Sequence, residues 1–202
     1  IVPFEDTAGG LADSLGTIEG RRAPAASGAF IRRRGGDTRA GEVVLSAGER
    51  LGPFALAAAA AAGVAELEVH RRPRVAVVST GSELVVPGVV PGRGQTPDSN
   101  STLLAALVAE TGAEVTVTSS LQDDANAIHA LLDHAADVDV IVFSGGVSAG
   151  AYEPVRQALE GRIAFEKVAM QPGKPQAFGA LDDGRLVFGL PGNPVSVAVS
   201  FE

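Results

Sequence analysis

Residues Asp139 to Pro154 read DVIVFSGGVSAGAYEP, and the reading of this stretch decides the fold. Val140 to Phe143 are apolar without alternation, the pattern of a strand buried on both faces. Gly145 and Gly146 then break the strand, and Glu153-Pro154 open EPVRQALEG, where proline suits the first turn of a helix. A buried strand that passes through a glycine turn into a helix is the repeating unit of an α/β sheet.

The same grammar extends in both directions from residue 74. RVAVVS is a continuous apolar strand, and DSNSTLLAALVAETG is a helix with Asp98 or Ser99 as cap and Gly112 as stop. AEVTVTSS is a strand, DDANAIHALLDHAA a second capped helix, and IAFEKVAM a strand. PQAFGAL and RLVFGL follow as short strands, and NPVSVAVSFE begins a helix. Strands alternating with helices predict an α/β domain over 73–202, with a three-layer, mostly parallel sheet. Ligands of such sheets bind beyond the carboxyl ends of the strands.

The first 72 residues have a different texture. Residues 1–31 mix Gly, Ala and Ser with short apolar stretches and are read as the tail of an incomplete β-rich module. Residues 32–72 are read as a linker or dimerisation module. It holds a short strand in GEVVLSAG, an alanine-rich helix from Pro53 stopped by Gly63, and a second strand in VAELEVH. RRPR (Arg71 to Arg74) leads into the α/β domain. An isoleucine at position 1 and an unfinished last helix suggest a piece of a longer protein.

Composition removes several classes. A net charge of −8 argues against a nucleic-acid partner held by a basic surface, and 4% aromatics against base-stacking platforms. No apolar run reaches the roughly 18 residues of a membrane span. With no cysteine there is neither disulfide nor thiolate chemistry, which fits a reducing cytoplasm, the expected location. Of 16 Lys and Arg only two are lysines, Lys167 and Lys174, and Lys174 is held between two prolines in QPGKP.

Gly146 to Gly150 spell G-x-S-x-G, which fits either a nucleophilic Ser148 on a strand-to-helix elbow or a glycine cradle for an anion. The elbow needs a histidine after the serine, yet His70, His129 and His134 all precede Ser148. Glycine pairing itself carries no information. With 25 Gly in 202 residues, about three adjacent pairs fall by chance, and three occur: Gly9-Gly10, Gly35-Gly36 and Gly145-Gly146. The position directly after a buried strand is what favours an anion nest, strengthened by the helix dipole beyond it.

Other loops fall at the same predicted edge. STGSEL carries Glu83, TPDSN carries Asp98, Asp123 and Asp124 open a helix, Glu153 follows the glycine loop, and GLPGNP follows the last strand. Carboxylates near a rigidly held ammonium suit hydrated Mg²⁺ beside an oxyanion. The same acids also make good helix caps or solvated charges.

Taken together, VAVVSTGSEL, TPDSNSTLLAALV, FSGGVSAG, MQPGKPQAFGAL and VFGLPGNPVS, with IVPFEDT and IRRRGGDTRAGEVV upstream, resemble the molybdopterin molybdenumtransferase family (MoeA and the gephyrin E domain). The resemblance implies Mg²⁺-dependent insertion of molybdate into adenylylated molybdopterin with release of AMP. It places catalytic roles on Asp37, Glu83, Asp123, Glu153, Lys167 and Lys174, with Glu83, Asp123 and Glu153 on the metal. The pterin nucleotide would be bound by Thr80, Gly81, Asp98, Ser144, Gly145, Gly146, Ser148, Pro172, Gly173, Pro191 and Asn193. It also implies a homodimer, with other molybdenum-cofactor enzymes as further partners. Two positions depart from the family pattern: Glu153 stands where Asp is common, and Gln171 where many members have Lys.

Family members have regions before and after those seen here, and their active site lies between subunits. These 202 residues are therefore expected to bind ligand weakly and not to turn over alone. The alternatives are a related molybdopterin adenylyltransferase-type enzyme on the same fold and a gephyrin-like scaffold. Residues 1–72 discriminate against the first.

Overall fold

In the computed structural model, residues 1–8, 19–148, 150 and 152–202 are described. The Gly9-Gly10 pair, Ala149 of the G-x-S-x-G stretch and part of the 1–31 module lie outside them. The chain divides into two compact units, Ile1–Val69 and His70–Glu202. Among the described residues no helix is long and apolar enough to cross a membrane.

The first unit contains a 3₁₀ turn (Phe4–Asp6), an isolated bridge between Thr7 and Gly20, and helix α1 (Pro53–Ala61). Pro53 sits at the start of α1, and Gly63 follows its end at φ +84°, the left-handed stop expected from sequence. The strands expected in GEVVLSAG and VAELEVH do not form. A strand exists by pairing its backbone and burying one face. Here both segments are largely exposed, and Ala59 is the only buried apolar residue of this unit among those described.

The second unit is built on a six-stranded sheet. Its strands are β1 (Arg74–Thr80), β4 (Glu114–Leu121), β5 (Val140–Ser144), β6 (Ala164–Lys167), β7 (Pro175–Ala180) and β8 (Leu186–Leu190), in the spatial order β4-β1-β5-β8-β7-β6. The β4, β1, β5 and β8 strands are mutually parallel, whereas β7 runs antiparallel to both β8 and β6. Two short parallel strands, β2 (Leu84–Val85) and β3 (Thr96–Pro97), form a separate ribbon. Helices α2 (Asn100–Glu110) and α5 (Pro194–Phe201) cover one face, and α3 (Ala125–His134) and α4 (Pro154–Leu159) cover the other.

This layering explains the unbroken apolar strands. In β1, Val75 and Val77 pack with Leu104, Val108 and Val197 on the α2/α5 face. Ala76 and Val78 pack with Ile128, Leu132, Val155 and Leu159 on the α3/α4 face. Two of these helix ends are set by single residues. The Asp124 carboxylate accepts the Asn126 N–H at 2.9 Å to cap α3, and Gly112 closes α2 at φ +89°.

Candidate functional site

Parallel strands bring their carboxyl ends to one edge of the sheet, so the loops after β1, β4, β5 and β8 must meet there. They enclose a cavity of about 260 Å³ lined by Thr80, Gly81 and Glu83, by Asp123, by Gly145 to Ser148 with Glu153, and by Pro191 and Gly192. Pro175 joins them because β7 is antiparallel and therefore starts at this edge.

The glycine loop is built by close approach. Gly145 and Gly146 adopt φ +90° and +67°, and a Cβ on either would come within 2.9 Å of Thr80 atoms. Only glycine meets both demands. Val147 is buried and anchors the loop in the α3/α4 core; Gly189 of β8 leaves room for it, since a Cβ there would lie 2.6 Å from Val147 Cγ1. The Gly145 N–H donates to Leu190 O at 3.0 Å, so it extends the sheet and is not available to a ligand, a correction to its expected role as an anion donor. The Ser148 N–H donates to a Glu153 carboxylate oxygen at 3.0 Å.

The acidic loops are also tied down. Ser82 N–H donates to Asp123 Oδ2 at 3.1 Å, while Asp123 N–H donates to Ser82 Oγ at 3.2 Å, a reciprocal clamp between the loops after β1 and β4. The Glu83 carboxylate lies over Gly81, where a Cβ would meet both its oxygens at 2.8 Å. Three carboxylates thus face one cavity that, among the described residues, no lysine, arginine or histidine lines. Among the described residues no histidine lines the cavity beside Ser148, so these residues do not assemble the base that the hydrolase elbow needs.

Of the residues expected at the site, the cavity gathers Thr80, Gly81, Glu83, Asp123, Gly145, Gly146, Ser148, Glu153 and Pro191. The others do not line it. Asp98 is 3% exposed and accepts the Ser101 N–H at 3.0 Å, so it caps α2. Ser144 Oγ accepts from Asn100 Nδ2 at 2.7 Å, and the same amide group donates to Gly192 O, binding the loops after β5 and β8 together. Asn193 caps α5 by accepting the Val195 and Ser196 N–H groups. Gly173 packs against Ser200 and Met170, and Pro172 follows a cis peptide bond.

Lys167 and Lys174 sit at this edge, with Lys167 in register with Pro175, but both are exposed and neither lines the cavity. Asp37 belongs to the first unit, where it pairs with Arg32 at 2.7 Å. The expected metal trio of Glu83, Asp123 and Glu153 is corrected likewise: among the described residues, no three His, Asp or Glu side chains come close enough to hold one ion. Sequence reasoning did not single out Pro175 or Gly192, although QPGKP and GLPGNP contain them.

Comparison with known proteins gives a consistent result. Residues 76–202 match a family described as "Probable molybdopterin binding domain", and residues 1–63 match the "MoeA N-terminal region (domain I and II)". The chain is similar to molybdopterin molybdenumtransferase 2 of Mycobacterium tuberculosis, at 48% identity over 100% of this chain and 51% of that protein. It is also similar to the molybdopterin molybdenumtransferase of Haemophilus influenzae, at 40% identity over 85% of this chain and 43% of that protein. Among solved structures, a molybdopterin biosynthesis MoeA protein from Pyrococcus horikosii superposes with a TM-score of 0.71 at 33% identity, covering 100% of this chain and 49% of that one. The chain spans about half the length of these relatives.

Proposed function

The chain belongs to the MoeA family of molybdopterin-binding proteins, and from that premise we propose that it contributes the pterin-nucleotide site of a molybdopterin molybdenumtransferase. The reaction is insertion of molybdate into adenylylated molybdopterin with release of AMP, in a cytoplasmic homodimer. One observation carries this reading: Glu83, Asp123 and Glu153, from three separate loops, converge on a single glycine-floored cavity at the carboxyl edge of the sheet.

The electrostatics support it. Three carboxylates with no protein cation among the described lining residues repel an anionic pyrophosphate, so binding calls for a positive partner. Mg²⁺ suits that role without a protein-only cage, since it is commonly held by one or two carboxylates, substrate phosphate and water. Glu83 and Asp123 are the residues to hold it, and it would neutralise charge on the cleaved phosphate. The protein's own part is positioning: the glycine loop presents backbone amides, the Ser82–Asp123 clamp fixes one carboxylate, and the exposed Lys167 and Lys174 at the rim attract molybdate.

The match of residues 1–63 to the MoeA N-terminal region favours this reading over a free-standing adenylyltransferase. The test is AMP release from adenylylated molybdopterin by the protein that carries this sequence, with and without molybdate. Molybdate-dependent release that Glu83→Gln lowers at least about tenfold supports it. Release indifferent to both overturns it.

A further inference from the structure

The glycine loop is gripped from behind by a side chain that does not line the cavity. Arg156, on α4, donates from Nε to Ser148 O at 2.8 Å, and its backbone N–H donates to Gly146 O at 3.0 Å. Its guanidinium carbon stands 4.5 Å from the centroid of the Phe165 ring, and Phe165 itself packs against the core. Glu160, one turn on, approaches the guanidinium at 4.0 Å. The Arg156 side chain is 29% exposed and is held by aromatic stacking, a carbonyl and a carboxylate together.

The consequence follows from peptide planarity. In a trans peptide the C=O and the next N–H point in opposite directions. Turning Gly146 O toward the Arg156 main-chain N–H therefore turns the Val147 N–H away from α4, and Val147 lines the cavity; the guanidinium, through Ser148 O, holds the same loop at its next turn and keeps that main-chain bond in place. The Gly145 and Ser148 amides are already spent on Leu190 and Glu153. The Gly146 and Val147 N–H groups have no hydrogen-bond partner among the described residues.

We propose that Arg156 is a positioning residue, which fixes the glycine loop so that the Gly146 and Val147 amides face an oxyanion in the cavity while Arg156 itself touches no ligand. The identity of that oxyanion as a nucleotide phosphate rests on the function proposed above; the amide geometry does not.

The test uses the intact chain with Arg156→Ala and Arg156→Lys, and two readouts. Amide hydrogen exchange at Gly146, Val147 and Ser148 reads the loop without any ligand, and AMP serves as the phosphate probe in titrations with and without methylguanidinium. Arg156→Ala should speed exchange of these amides and raise the Kd for AMP about tenfold. Arg156→Lys should recover part of that loss, and methylguanidinium should restore the alanine variant to within about threefold of the original affinity. Unchanged exchange in Arg156→Ala overturns the proposal. So does a loss of AMP affinity that neither lysine nor methylguanidinium relieves, because that marks general damage to the fold. If the unsubstituted chain binds no AMP while exchange responds as stated, the positioning role stands and the nucleotide reading falls.

Discussion

The Glu153 carboxylate accepts the Ser148 N–H at 3.0 Å, so part of the anion cradle is filled by the protein's own anion. Glu153 also crowds Gly150, where a Cβ would lie 2.7 Å from Oε1. An incoming phosphate competes with this carboxylate for the amide and is repelled by its charge. Glu153→Gln keeps an acceptor for Ser148 and removes the charge. Titration with AMP in low salt should therefore show tighter binding by about fivefold, corresponding to ~1 kcal/mol for one charge at short range in water. The gain should shrink toward nothing near 0.5 M salt, a range of ionic strength at which such interactions are screened within about 4 Å. Binding that is weaker, or a gain independent of salt, contradicts this account.

The glycine loop makes a second prediction with an internal control. Gly145 combines φ +90° with a Cβ position 2.8 Å from Thr80 O, while Gly112 has φ +89° and open space around it. Gly112→Ala should cost only the left-handed strain, about 1–2 kcal/mol. Gly145→Ala adds a clash with backbone that cannot move aside without disturbing β1, and should cost at least about 2 kcal/mol more. Urea unfolding midpoints of the two variants measure the difference, and equal losses would show that the loop relaxes freely.

How far the sequence foretells this structure depends on what each residue's signal is local to. The β1 and β5 strands are legible because both faces are buried, which leaves an unbroken apolar run. Helix ends are legible at Asp124, Gly112 and Gly63 because capping is a matter of a few neighbouring residues. GEVVLSAG and VAELEVH have strand-like composition, yet β-propensity is realised only against a partner and a core, and among the described residues these segments have neither. At the site, convergence of the acidic loops follows from parallel topology. What does not follow is which amides remain open. That depends on the distant pairing of Gly145 with Leu190 and on Glu153 folding back over the loop.

An ion pair at the opposite edge supplies a pH signature. Arg71 donates through both terminal nitrogens to Asp139 at 2.6 Å, and the Arg74 N–H adds a third bond at 2.7 Å. The Arg71 side chain, then the Arg74 amide, hold the Asp139 carboxyl down from 3.8 to about 2. Because the folded value is depressed, the stabilisation is fully present above about pH 4 and is lost as pH falls toward about 2. Asp139→Asn should be less stable than the parent at neutral pH, and the gap should close between those two values. Thermal melts across that range check it, and a gap that persists at pH 2 excludes Asp139 as its source.

Lys174 is the residue on which the transferase reading is most exposed to test. Its backbone is fixed without its side chain: Lys174 O accepts the Val168 N–H at 2.8 Å, Gly173 O accepts from Gln176 Nε2 at 3.1 Å, and the next residue, Pro175, lines the cavity. Truncating an exposed side chain so placed should change stability by no more than about 0.5 kcal/mol. Molybdate is an anion approaching a cavity walled by three carboxylates, so a nearby ammonium should act mainly on its capture. Lys174→Ala should accordingly raise the molybdate KM of the protein carrying this sequence by about tenfold or more with little change in the affinity for AMP, and Lys174→Arg should recover much of the loss. Lys167→Ala should act in the same direction but less, because Lys167 lies on β6, one strand further from the cavity than Pro175. If Lys174→Ala leaves the molybdate KM unchanged while Lys167→Ala raises it, the oxyanion belongs to Lys167. If neither variant responds, the rim lysines do not capture molybdate, and the cation that offsets the three carboxylates must come from elsewhere.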